Sequence, residues 1–295
     1  MATPGYLGKR NRRAGATFVA PAAIFFGVFM VLPVIAVIGL AFSSWTGFNV
    51  HDVTYTGLSN FRELPHDALF VRALLHTVAF VVISTVALNV LGFALALLIN
   101  SRVQGHDFLR IAMFVPLGLS PVITGVIWQQ LLGPYGLVNS ALETLHLVSS
   151  PVQFLGDPNL AFWTVIAAAI WQYSGYNMLL YYSGLQSLPK ERLEAASIDG
   201  AGPIARFRHI IVPYMRPVMA VVIVLNLIGG WKVFELVYVL TNGGPNHGTE
   251  VLSTYLYQQA FTISANGYAS AIALVIVVLA MLSALLRGRI QGALA

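Results

Sequence analysis

Cysteine is absent from the 295 residues, and that one absence removes disulfides, thiolate metal sites, iron–sulfur clusters and cysteine nucleophiles together while leaving the compartment open. Charge is also scarce: Asp, Glu, Lys and Arg make up 9% of the chain, against about a quarter in an ordinary soluble domain. A 31.9 kDa globule with 57% hydrophobic residues and a mean hydropathy of +0.76 has too few charges to cover its surface with polar groups. Most of its exterior must face lipid. Lysine occurs only as Lys9, Lys190 and Lys232. None stands in the setting of a glycine-rich turn followed by Lys-Ser or Lys-Thr, so no P-loop is present to cradle a nucleotide phosphate. The chain also lacks HExxH, GxSxG and any aspartate pair in its apolar runs, which argues against an intramembrane enzyme. His76 is the one clear intramembrane histidine. With no second ligand one turn away, it reads as a hydrogen-bonded helix-end residue, and no metal site is expected.

What the chain has in abundance is long runs without a charge, such as Ala14 to His51, Ala73 to Ser101 and Val251 to Leu286. A helix needs about 20 apolar residues to cross the hydrocarbon core. Six segments meet or approach this: 17–42, 74–99, 109–132, 160–184, 213–240 and 267–286. Without strict alternation, and with internal Gly and Pro, they read as helices rather than barrel strands. The basic Lys9, Arg10, Arg12 and Arg13 precede an apolar run much longer than a signal-peptide core, so the first segment is expected to remain as a span. On this layout thirteen of the sixteen basic residues fall on one side. That asymmetry places both termini and the loop between spans 4 and 5 in the cytoplasm, and it accounts for the net charge of +5 without nucleic acid. The expected organisation is all-α: a cytoplasmic tail over 1–16, a six-span domain over 17–287 and a cytoplasmic tail over 288–295. The outer connections are rich in Gly, Pro, Asn and aromatics, and 251–263 is expected to form a short helix at the outer interface.

The most informative stretch is the inner loop at 186–213. Pro189 is suited to open a helix and Gly200 to end it in a left-handed cap. Pro203 is suited to open a second helix, with Pro213 marking the passage into span 5. By charge alone this is only a solvated basic loop. Its pattern says more. The run "EAASIDGAGPIARFRHIIVP" resembles the EAA motif of permease subunits of binding-protein-dependent ATP-binding-cassette (ABC) importers, with Glu194, Ala195, Ala196, Asp199, Gly200, Ala201 and Pro213 in matching positions. "GLSNFREL", "LGDPNLAFW", "WKVFELVYVLTNGGP", "YLYQQAF" and "GYASA" follow in the order found in the first of two paired permeases of carbohydrate importers. The resemblance implies a type I importer permease fold and a non-catalytic subunit of the cell inner membrane. It further implies a homologous second permease, two ATPase subunits that hold the ATP and magnesium, and an extracytoplasmic sugar-binding protein. The EAA residues would then couple the ATPase to the spans.

Sugar recognition uses aromatic faces for a pyranose ring and amides or hydroxyls for its hydroxyl groups. Trp171, Tyr173, Tyr176 and Asn177 in span 4, with Asn226 and Trp231 in span 5, supply both; helix packing and interfacial anchoring are the alternative roles for each. Gly229 and Gly230 suit close approach of a ligand or helix. By resemblance to the maltose-type permease, Tyr173, Tyr176, Asn226, Gly230 and Val233 occupy positions that line a sugar site. Lys232 and Glu235 stand three apart in span 5, either as an ion pair that stabilises the helix or as part of the pathway lining. Such intramembrane charges keep an ion-coupled secondary transporter or a channel as the competing class.

Overall fold

The computed structural model describes residues 7–47, 49–101 and 105–285. The basic residues Arg102, Arg287 and Arg289, and the tail expected over 288–295, lie outside them. In chain order the elements are α1 (Leu7–Phe26), α2 (Leu32–Ala41), β1 (Ser43–Ser44), β2 (Thr54–Tyr55), α3 (Ser59–Glu63), α4 (Ala68–Asn100), α5 (His106–Phe114), α6 (Pro121–Leu132) and α7 (Leu137–Thr144). There follow α8 (Pro158–Gln186), α9 (Lys190–Ile198), α10 (Pro203–Arg206), α11 (Val212–Trp231), α12 (Glu235–Thr241), α13 (Leu252–Tyr257) and α14 (Asn266–Leu285). Single π-type turns continue α1 into α2 and α10 into α11, so each pair forms one helical run.

Four helical runs are long and apolar enough to cross a membrane: Thr17–Ala41, Ala68–Asn100, Pro203–Trp231 and Asn266–Leu285. The expected third span is not one straight helix. Asp107–Gly118 and Pro121–Thr144 meet at 105°, because Pro116 and Pro121 cannot donate to a continuous ladder. They make a fifth crossing if the bent pair is counted as one. The fourth expected span, α8, has 29 residues, about 43 Å at 1.5 Å per residue. It is less apolar because it buries Gln172, Ser174 and Asn177 among protein neighbours. Part of the segment expected as an N-terminal tail is helical, since α1 already begins at Leu7.

The chain forms two compact units. The first comprises residues up to Glu63 together with Gln259–Leu274. Its 17–41 helix is unburied up to its last residue, Ala41, with a lipid-compatible surface that includes Phe18, Phe25 and Ile35. Beyond it a two-residue antiparallel ladder pairs Ser43 with Tyr55 and Ser44 with Thr54. Asn60, from the "GLSNFREL" motif, donates to the carbonyls of Ala41 (2.9 Å) and Ser43 (3.0 Å), tying down the chain where the helix ends.

The second unit, Leu64–Gln258 with the C-terminal part of α14, contains most of the buried apolar residues. Asp67 caps α4 through Leu69 N (2.9 Å) and Phe70 N (3.3 Å), and Asp157 caps α8 through Asn159 N (3.0 Å) and Leu160 N (2.9 Å). Along α4 the buried Ala73, Thr77, Phe80, Ser84, Leu88, Gly92, Ala96 and Ile99 recur three or four apart, forming a stripe against α8. α11 packs on both helices. Phe80, Val165, Ile166, Leu236 and Val237 form one apolar cluster, and Ala96, Met178, Tyr181, Met215 and Val222 form another. Backbone freed at the bend and breaks is satisfied from inside the protein, as an apolar solvent requires. Gln172 donates to the carbonyl of Leu119 (3.2 Å), and Gln129 donates to Val239 (2.6 Å) and Leu240 (3.2 Å).

Candidate functional site

Between α4, α8, α11 and the start of α6 lies a cavity of about 320 Å3. Tyr173, Tyr176, Asn226, Gly230 and Val233 line it, as do Lys232 and Glu235, so the structure gathers these seven expected residues around one space. The fold adds Phe80, Ser84 and Leu88 from α4 and Leu117 and Pro121 from the bend, all missed by motif reading. Only the two prolines flanking the bend gave a signal in the sequence. The wall is a hydroxyl, phenol and amide set on an apolar lining, able to hydrogen-bond a polyol and to stack against its apolar face.

Two expected pathway residues are placed elsewhere. Asn177 is 0% exposed, donates to the carbonyl of Tyr173 (3.1 Å) and accepts from Asn226 Nδ2 (2.7 Å). It is therefore a clamp between α8 and α11, setting the orientation of the cavity-lining Asn226. Trp231 is buried and donates from Nε1 to Ser283 Oγ (2.8 Å), which anchors the end of α11 to α14 instead of presenting an indole to a ligand. Trp171 packs edge-on against Trp128, with ring centroids 5.5 Å apart. The two glycines of α11 differ. A Cβ on Gly230 would lie 3.0 Å from Val81 Cγ2, so α11 and α4 touch there, while a Cβ on Gly229 would meet nothing within 4 Å.

The expected helical pairing of Lys232 and Glu235 is not found. α11 ends at Trp231, Lys232 caps it at φ −104°, ψ 12°, and α12 starts only at Glu235 after Phe234 turns the chain at φ −140°. A break within the three-residue interval destroys the common helix face, and no ion pair joins the two among the described residues. Both side chains are exposed at the cavity wall. His76 has the expected hydrogen bond, its Nδ1 lying 3.1 Å from the carbonyl of Glu250.

The inner loop folds as its sequence prescribes at the turn. Pro189 precedes α9 and Asp199 ends it. Gly200 has φ +77°; its N–H donates to Ser197 O (3.2 Å), and that of Ala201 to Ala196 O (2.8 Å). These two bonds define a Schellman cap, whose third-from-last helical residue is the second alanine of the EAA motif. Arg206 Nη1 reaches Ser197 Oγ (2.8 Å) across the turn. The expected second helix is not a separate one: from Pro203 the chain is helical without interruption to Trp231, and Pro213 sits inside this run. No residue of α9 or α10 is buried, and Ile198 and Ile204 are 86% and 82% exposed.

A helical membrane subunit with a lined cavity at one end of a rod and an exposed, capped turn at the other is a transport component. The chain belongs to the family described as binding-protein-dependent transport system inner membrane component, which matches residues 88–294. It is a permease, not an enzyme, and a multi-pass protein of the inner membrane. It is 36% identical over 281 residues to the probable ABC transporter permease protein YurN of Bacillus subtilis, covering 94% of this chain and 96% of that one. It is 32% identical over 286 residues to the arabinooligosaccharides transport system permease protein AraP of the same organism, covering 96% and 90%. A chain in the crystal structure of a bacterial ABC transporter involved in import of the acidic polysaccharide alginate superposes with a TM-score of 0.83 at 25% identity, covering 97% of this chain and 96% of that one.

Proposed function

We propose that this chain is one of two permease halves of an ATP-driven importer for carbohydrate, crossing the membrane six times with both termini in the cytoplasm. A homologous second permease completes the pathway, two ATPase subunits dock on the inner loop, and an extracytoplasmic binding protein delivers the sugar. Relatives named for arabinooligosaccharides and for alginate support the substrate class.

One observation carries the reading. Asn226, Gly229 and Gly230 of the cavity stand on the same uninterrupted helical run that leaves the EAA turn at Pro203. Its 29 residues span about 43 Å. Movement imposed on Glu194–Ala201 by a closing ATPase dimer is therefore passed across one turn to a continuous helical run that ends at the wall of the cavity. That is the two-state coupling alternating access requires.

The test is uptake of labelled oligosaccharide by the complete importer in proteoliposomes. It should require ATP on the ATPase side and binding protein on the other, and it should persist when proton and sodium gradients are collapsed. Gradient-driven uptake by this chain alone would instead establish the ion-coupled carrier that Lys232 and Glu235 suggest.

A further inference from the structure

A second recess, of about 370 Å3, lies apart from the central cavity at the N-terminal ends of α4 and α8 and has a different chemistry. Arg72 contributes a guanidinium whose Nη1 donates to the carbonyl of Asn246 (3.3 Å), and no carboxylate pairs with it among the described residues. Asp157 is engaged with the amides that open α8, which leaves Arg72 as the cation of the recess. His76 lies 3.1 Å from the Glu250 carbonyl through Nδ1. A carbonyl only accepts, so Nδ1 carries a proton, and in the neutral form of the ring this makes Nε2 an acceptor. Trp163 is 56% exposed at the rim, and Asn159 and Asn246 add amides.

The wall is preformed. In the loop from Asn242 to Glu250, Thr241 and Thr249 hydroxyls meet at 2.6 Å and His247 Nδ1 lies 2.8 Å from Glu250 Oε2. Gly248 brings this loop so close to α8 that a Cβ would lie 2.7 Å from Pro158 Cβ.

Its position relates it to the cavity. Arg72 and His76 continue, at four-residue steps, the ridge on which Phe80, Ser84 and Leu88 line the central space. On α8, Phe162 precedes Ala169, Tyr173 and Tyr176 at helical intervals. The centres of the two groups are offset by about ten residues on α4 and about twelve on α8, or about 15–18 Å. That is farther than a single sugar ring reaches.

From this we infer that the recess is a second saccharide subsite, which takes a carboxylate-bearing sugar unit. Arg72 pairs with the carboxylate, Trp163 covers the apolar face of the ring, and His76 Nε2 accepts a hydroxyl. An acidic oligosaccharide lying along the α4–α8 seam engages both sites. The inference rests on the carbohydrate reading above and adds to it a preference for charge.

The experiment uses the complete importer in nanodiscs without binding protein, so that the selectivity of that protein does not enter. The probes are a tetragalacturonide and its carboxyl-reduced counterpart, followed by calorimetry and tryptophan fluorescence. The acidic probe should bind at least tenfold more tightly than the neutral one. Arg72→Gln should abolish that preference, Arg72→Lys should keep part of it, and Trp163→Ala should weaken both probes, all with unchanged melting temperature. Equal binding of the two probes, binding of neither, or a preference that survives Arg72→Gln overturns the subsite. Uptake of neutral oligosaccharides in proteoliposomes is scored separately: its presence alongside a failed preference leaves the carbohydrate reading standing, and its absence for every sugar removes that reading.

Discussion

Replacing Gly200 with Val isolates the coupling turn from everything else in the molecule. Gly200 sits at φ +77°, and a Cβ built there meets nothing within 4 Å, so the substitution introduces no clash within this chain. What remains is the backbone cost. An L-residue in the left-handed region costs about 1–2 kcal/mol, most for a β-branched side chain. An energy of that size lowers the population of the capped turn by about 5- to 30-fold relative to competing conformations. The two bonds of the cap, Gly200 to Ser197 and Ala201 to Ala196, are lost together when the turn opens. Because α9 buries no residue, insertion and packing of the spans should be untouched. Gly200→Val should therefore reach the membrane in normal amounts, co-purify poorly with the ATPase, and show ATP-driven uptake reduced by about 5- to 30-fold. Gly200→Asn should stay close to wild type, because Asn tolerates the left-handed conformation. Wild-type uptake with Val, or an equal loss with Asn and Val, would refute the assignment of the turn.

Asn177→Leu leaves the Asn226 amide without its 2.7 Å partner and should lower stability by about 1–3 kcal/mol. The double change Asn177→Leu with Asn226→Leu should recover part of the melting temperature, because it removes both polar groups; a still lower temperature counts against the clamp. Lys232→Met and Glu235→Gln should have additive effects on uptake, with a coupling in the double-mutant cycle below about 0.5 kcal/mol; a larger favourable coupling would reinstate an ion pair. Trp231→Phe should cost about 1 kcal/mol through the lost Ser283 bond, measured by thermal unfolding, while leaving sugar affinity unchanged. Reporter fusions after Arg289 and within 133–159 should report opposite sides of the membrane, and the same side for both would exclude six crossings.

The sequence by itself determined the elements whose causes are local. Long uncharged runs require helices in lipid, and the N-caps at Asp67 and Asp157 and the left-handed Gly200 depend on residues within a turn of one another. The EAA turn could be read residue by residue for that reason. The cavity could be read only in part, because its membership depends on which faces of helices distant in sequence come together. Asn177 and Asn226 look alike in the chain, yet one is fully buried as the other's partner and only Asn226 meets the open space. Trp231 had the same apparent credentials as Tyr173 until the placement of Ser283 decided its role. Lys232 and Glu235 kept helical spacing on paper, but the break at 232–234 removed the shared face on which an ion pair depends. Spacing fixes a side chain's direction only while the helix continues, and whether it continues at membrane depth depends on partners able to satisfy the freed backbone. At the break itself the carbonyls of Gly229 and Gly230 are taken by the next N–H groups, of Lys232 and Val233, but where α12 ends those of Val239 and Leu240 are met by Gln129, which comes from more than a hundred residues away and reaches them only in the folded chain.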